Sequence, residues 1–362
     1  MKGTLDEALE RLRGTSTEVT GGGEPNHGPM AAEALISLGR DELVVGWTDR
    51  YRRKLELMPA ATSPPITVDT WRQSLGQIGR IGDWAAFFRR QFIESPWRNV
   101  FADWIGRLLP GAISAGQHGL IRTAHAIRAL DAEETPLRVE ELGVALSYWA
   151  AYYRELPGIP RLVGTLDFDE ALTKVPRVTR GQPGRGMPRE LILKVMDSQT
   201  EFGAAVDAAI EPKSVEDALS SLTQAGARLY LSQADRQPLV LLHTVTGPAA
   251  LRLLLPHLAS DMHKMALAYV WQAVAAMTSM YASNSNGIRD ESALPPQSEI
   301  IEGAVETDDP HAIKFVEACI REFRLNPEPV YLRAAHDWAT RLHQARNWSQ
   351  AQRVEAGIEA II

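Results

Sequence analysis

Apolar positions recur with a helical period along most of this chain. Leu5, Ala8, Leu9 and Leu12 share one face of a helix over 4–13. After a glycine-rich loop the pattern resumes at Met30, Ala31, Ala34, Leu35 and Leu38, and Gly39 supplies a stop. Trp47, Trp71, Trp84, Trp97 and Trp104 fall at helical spacings with Phe87, Phe88 and Phe92, as core fillers or as the wall of a pocket for a planar apolar ligand. A further helix over about 138–154 carries Tyr148, Trp149, Tyr152 and Tyr153, and helical patterns continue through 189–231. The run 239–248 is rich in β-branched residues, but Leu251, Leu254 and Leu255 extend a 3.6-residue face beyond it. It is therefore read as helix, with Pro248 marking a kink or a break between two helices. A helix near 261–283 precedes a polar loop at 284–297, and two last helices close the chain. No period of two persists, so no strand is predicted. The stretch 157–188 holds Pro157, Pro160, Pro176, Pro183 and Pro188, and reads as a long surface loop that could serve as a lid. The expected fold is all-α, a single helical domain over 1–362 with a metal site in the core of the helix bundle.

Composition narrows this picture. A chain of 362 residues suggests about two domains by length alone, but no repeat or low-complexity segment divides it. Its net charge of −7 argues against a nucleic-acid partner. One cysteine, Cys319, excludes an internal disulfide framework and a cysteine-based zinc site, and suits a reducing compartment. The charged N-terminus lacks the apolar core of a signal peptide, and no apolar run of about 18 residues is seen. A soluble, cytoplasmic protein is expected, with no membrane partner and with a homo-oligomer left open.

The candidate chemistry is carried by histidine. The sequence has no Gly-x-Ser-x-Gly elbow, no dinucleotide glycine fingerprint, no Cys pair and no His-Glu-x-x-His. What remains are His27, His118, His125, His243 and His311, each beside small residues or in an apolar context. Imidazoles suit iron, zinc, copper or nickel, although dispersed ligands are a weak signal. Asp308 or Asp309 can cap a helix that begins at Pro310, which puts His311 and Lys314 on one face. That pair is either a salt-bridged helix start with Lys314 in water, or two basic groups converging on a site. His118 and His125 stand two turns apart with Arg122 between them.

In four places the sequence resembles the questin oxidase-like proteins. These are 26–29 with the alanine-rich helix to Gly39, 118–125, 243–246 and 309–314, in that order, and together they cover roughly 20–340. The resemblance implies a non-haem iron oxygenase that opens the ring of an aromatic or quinone polyketide-like substrate with O2. It implies His27, His118, His243 and His311 as imidazole ligands, and Lys314 as a carbamylated lysine ligand. Arg122 stands where the family pattern has a histidine, and His125 where it has a tyrosine, which bears on the substrate more than on the metal. Arg122 is then a candidate to hold a phenolate or carboxylate of the substrate, and His125 a candidate proton shuttle.

Physical chemistry supports the lysine role. A lysine must lose its proton before it reacts with CO2; burial and a nearby dication both disfavour the ammonium, and the carbamate supplies an anionic oxygen that the sequence otherwise lacks. The expected cofactor is Fe(II), with NADPH as a candidate electron donor, and the expected partners are a small aromatic substrate and O2. Two other readings stand beside this one. One is a metal-free Baeyer–Villiger-type monooxygenase using NADPH, and the other is a non-catalytic helical ligand-binding protein.

Overall fold

Where the apolar period is helical, the chain is helical. The computed structural model describes residues 2–21, 23–62, 64–177, 201–233, 237–282 and 293–345. Its contacts fall into two units, Met1–Glu155 with Leu253–Met262, and Leu156–Arg252 with His263–Ile362.

In the first unit, α1 (Lys2–Leu12) buries Leu5, Ala8, Leu9 and Leu12 as the spacing predicts. Strands β1 (Thr15–Val19) and β2 (Leu55–Leu57) pair antiparallel, Thr15 opposite Leu57 and Val19 opposite Leu55. The expectation of no strands is thereby corrected; at five and three residues they are too short to show an alternation. Helix α2 (Gly28–Ser37) is buried from Gly28 to Leu35 and ends at Gly39, whose φ of +73° lets the chain turn back. There follow α3 (Asp41–Tyr51), the single turn α4 (Trp71–Ser74), α5 (Ile81–Glu94) and α6 (Trp97–Leu108). Trp84, Trp104, Phe87 and Phe88 interlock edge to face and are almost fully buried, so these aromatics are core. Helices α7 (His118–Ala132) and α8 (Pro136–Ala151) pack closely, with Thr135 capping α8.

In the second unit, α9 (Phe168–Lys174) lies inside the stretch read as a loop, opened by a capping box between Asp167 and Glu170. The predicted lid from 178 onward lies outside the described residues, as does most of the predicted polar loop at 284–297. Helices α10 (Phe202–Asp207), α11 (Val215–Gln233), α12 (Pro238–Leu241) and α13 (His243–Leu254) follow. The helix break falls at Leu242, and Pro248 is accommodated inside α13, so the break comes six residues before the proline that was expected to cause it. Helices α14 (His263–Tyr281), α15 (Gln297–Glu306), α16 (Pro310–Leu325) and α17 (Pro329–Ala345) complete the unit. Helix α15 was not foreseen. Glu322 on α16 is fully buried and accepts hydrogen bonds from Arg252 on α13, Arg321 and Thr223 on α11, which clamps α13 and α16 together.

The segment Pro238–His257 is long and apolar enough to cross a membrane, with a mean hydropathy of 1.4, although no such run was read from the sequence. Its neutral polar residues, His243, Thr244 and Thr246, interrupt the run to the eye without adding charge. Since 78% of the window is buried inside the protein, the segment is a core helix.

Close approach of α7 and α8 depends on Gly119. A Cβ there would lie 2.6 Å from the Trp149 ring, which is fully buried and held by an Nε1–H bond of 2.9 Å to the Gly111 carbonyl. Gly119→Ala should lower unfolding free energy by about 2 kcal/mol through overpacking, measurable by urea denaturation.

Candidate metal centre

Four buried histidines stand at helix starts. His27 is the residue before α2, His118 opens α7, His243 opens α13 and His311 is the second residue of α16. None is more than 5% exposed. A helix N-terminus carries partial positive charge, so it disfavours imidazolium and favours the neutral ring that binds metals.

The first unit brings His27 and His118 together. Their rings stack 4.9 Å apart and tilt by only 7°, an arrangement two buried cations could not share. The His27 backbone N–H donates to the Tyr51 hydroxyl at 2.8 Å, and the neighbouring Asn26 side chain donates to the Ser16 carbonyl and accepts from Gly28 N–H. His27 opens the helix through its backbone; its side chain makes no capping bond. Before His118 three successive residues, Ala115, Gly116 and Gln117, have positive φ. This turn is strained at the two non-glycine positions, and it brings the Ala115 carbonyl 2.7 Å from Nδ1 of His118. A carbonyl only accepts, so Nδ1 carries the proton and Nε2 bears the lone pair.

The second unit repeats this device. Nδ1 of His243 donates to the Val240 carbonyl, again three residues back, at 3.2 Å. Orientation of a ligating histidine by a backbone carbonyl is the usual arrangement around protein metals. His311 meets His243 edge on, with ring centres 5.9 Å apart. Burial pushes the His243 pKa well below its ordinary value, and His311 and Lys314 lower it further, so the ring is neutral. Asp309 is the residue that caps α16, accepting from Ala312 N–H at 2.8 Å, while Asp308 takes a φ of +60°. Lys314 is 3% exposed, which overturns the reading that left it in water. One turn beyond His243, the Thr246 hydroxyl is buried and has no hydrogen-bond partner among the described residues.

Arg122 and His125, the two residues expected to do chemistry, are engaged by carboxylates that the sequence reading missed. Arg122 makes a two-pronged pair with Glu141, at 2.7 and 2.9 Å. His125 donates from Nδ1 to Glu33 at 2.7 Å, and Arg128 also pairs with Glu33. The two histidines of α7 therefore take different partners, His118 a carbonyl and His125 a carboxylate. Glu33 had a visible signal, as the one acid among the alanines of α2. Glu141 had none in its local pattern.

Burial by itself raises the Glu33 pKa, but Arg128 and His125 outweigh it and hold the carboxyl below its ordinary value near 4.5. The folded state thus favours the ionised form more than the unfolded chain does. The resulting stability is fully present above that ordinary value and is lost as pH falls through the depressed one. Glu33→Gln should cost roughly 3 kcal/mol at neutral pH and flatten the loss of stability in acid, which urea titrations at neutral and acidic pH would read.

No protein-family model matches the chain, and no curated protein matches it.

Proposed function

We propose that this chain is a non-haem iron oxygenase that opens the ring of a small aromatic or quinone substrate with O2. The observation that carries the reading is the repeated arrangement at His118 and His243. Each is buried at a helix start, with Nδ1–H on a carbonyl three residues back and the lone pair on Nε2. His27 stands beside His118 and His311 beside His243, and the ligands that the resemblance implies are these four histidines with a carbamylated Lys314.

The donor set fits iron. Imidazoles with one anionic oxygen are a common ligand class for Fe(II) oxygenases, and the carbamate is that oxygen donor. The Lys314 amine, once neutral, attacks the carbon of CO2; the new N–C bond forms and one proton leaves, giving the anion. Burial of Lys314 favours the neutral amine that this needs. The unpartnered Thr246 hydroxyl on the His243 face of α13 suits a carbamate oxygen as acceptor. Bound iron supplies O2 activation and electron transfer, with NADPH as a candidate external reductant. His125, held by Glu33 as the Nδ1–H tautomer, is the proposed proton shuttle, acting at Nε2.

The test is metal content by elemental mass spectrometry on full-length protein purified anaerobically. About one iron per chain is expected, with its affinity lowered about a hundredfold or more in both His27→Ala and His243→Ala while helicity is unchanged. Iron retained at full occupancy in either variant would remove that histidine from the set. Isotope-labelled bicarbonate should give a carbamate carbon signal that Lys314→Arg abolishes. A signal absent from the iron-loaded wild type would remove Lys314.

A further inference from the structure

The first unit carries a graded cavity that the metal ligands do not explain. An open cleft of about 890 Å³ lies between α5 and α8, walled by Phe92, Ile93 and Val139. It shares Arg13, Ala85, Arg89 and Val144 with a narrower crevice of about 90 Å³, whose walls include Leu9, Leu12 and Leu137. That crevice in turn shares Leu9, Arg122 and Glu141 with a water-sized recess of about 10 Å³ containing His125 and Glu33.

Arg122 stands where the two inner spaces meet, and it is 3% exposed. Its Nε and Nη2 are taken by Glu141, but its buried Nη1 has no hydrogen-bond partner among the described residues. A buried N–H without an acceptor is rare enough to need an explanation. Charge decides what the acceptor is. Glu141 neutralises the guanidinium, and across the cleft and crevice three arginines face four glutamates. A carboxylate or phenolate entering this space would meet no net positive charge and would lose its hydration, whereas an uncharged oxygen would only exchange water for Nη1.

We propose that this cavity is a binding site for a flat, apolar, uncharged molecule with a carbonyl-type oxygen on one edge, and that Glu141 sets its preference for neutral over anionic ligands. The aromatic body lies along Phe92, Ile93 and Val139 of the cleft and the leucines of the crevice, and the oxygen accepts from Arg122. This replaces the anion-holding role expected for Arg122 from sequence, and it stands whether or not the protein binds iron.

The experiment is calorimetric titration of the full chain with naphthalene-2-carboxamide and naphthalene-2-carboxylate, which share a shape and differ in charge. Wild-type protein should bind the carboxamide about tenfold or more tightly than the carboxylate. Glu141→Gln, close in shape, leaves the Arg122 charge uncompensated and should improve carboxylate binding about tenfold. The double variant Arg122→Met, Glu141→Gln buries no lone charge and should lose about tenfold in carboxamide affinity. Three results would each overturn the proposal: wild type preferring the carboxylate, wild type binding neither probe because Arg122 holds a trapped water alone, or the double variant binding the carboxamide as well as wild type. The wild-type comparison needs no substitution, so a variant that fails to fold does not leave the idea untested.

Discussion

A buried imidazole must be neutral, and the one N–H it keeps must find an acceptor; much of this structure is arranged around that constraint. His118 and His243 meet it in the same way, with a carbonyl three residues back. Both rings stand at a helix start, where the preceding turn presents its carbonyl to the ring. At 115–117 that turn is made by three residues in the left-handed region, two of them not glycine. Strain of this kind persists where the surroundings over-determine it, and here the neighbours are the close packing of Gly119 on Trp149 and the Nε1–H bond from Trp149 to Gly111.

The second unit imposes a further condition, that two helices from distant parts of the chain keep one register. Arg252 and Glu322 do this for α13 and α16. Glu322 is wholly buried and takes donors from two arginines and a threonine, so its charge is compensated on several sides. Such a cluster adds little net stability over a well-packed apolar core, since desolvation offsets most of the attraction. Its effect is on alignment, because any slip of α16 along α13 would take the buried carboxylate away from Arg252. His243, His311 and Lys314 lie at the other end of the same two helices and inherit that alignment.

These features were not equally readable beforehand. Most helices were, because they bury a face whose period survives in the sequence, as in α1 and α2, whereas the short α9 and α15 were missed. The histidines were also visible, since a polar ring among alanines or leucines is a local anomaly. The ribbon β1–β2 was hidden by its length, and the break at Leu242 by the nearby Pro248, which has the stronger local signature. The partners of Arg122 and His125 were hidden for a different reason. Glu141 is nineteen residues from Arg122 and Glu33 ninety-two from His125, so both pairings follow from how α7 meets α8 and α2. Sequence period gives the face of a helix, but not which side chain stands opposite.

That distinction matters for how Arg122 is understood. Alone on α7 it is a cation, and a cation beside a ligand-sized space suggests an anionic ligand. Paired with Glu141 it is half of a neutral ion pair with one N–H to give. The same guanidinium therefore recognises a different chemical class once its partner is counted, and the partner comes from the packing of two helices. Replacing a charge by a directional donor also changes how selection works. An ion attracts any opposite charge that comes near, whereas a buried N–H beside a carboxylate rejects anions and accepts only an oxygen placed within hydrogen-bond reach.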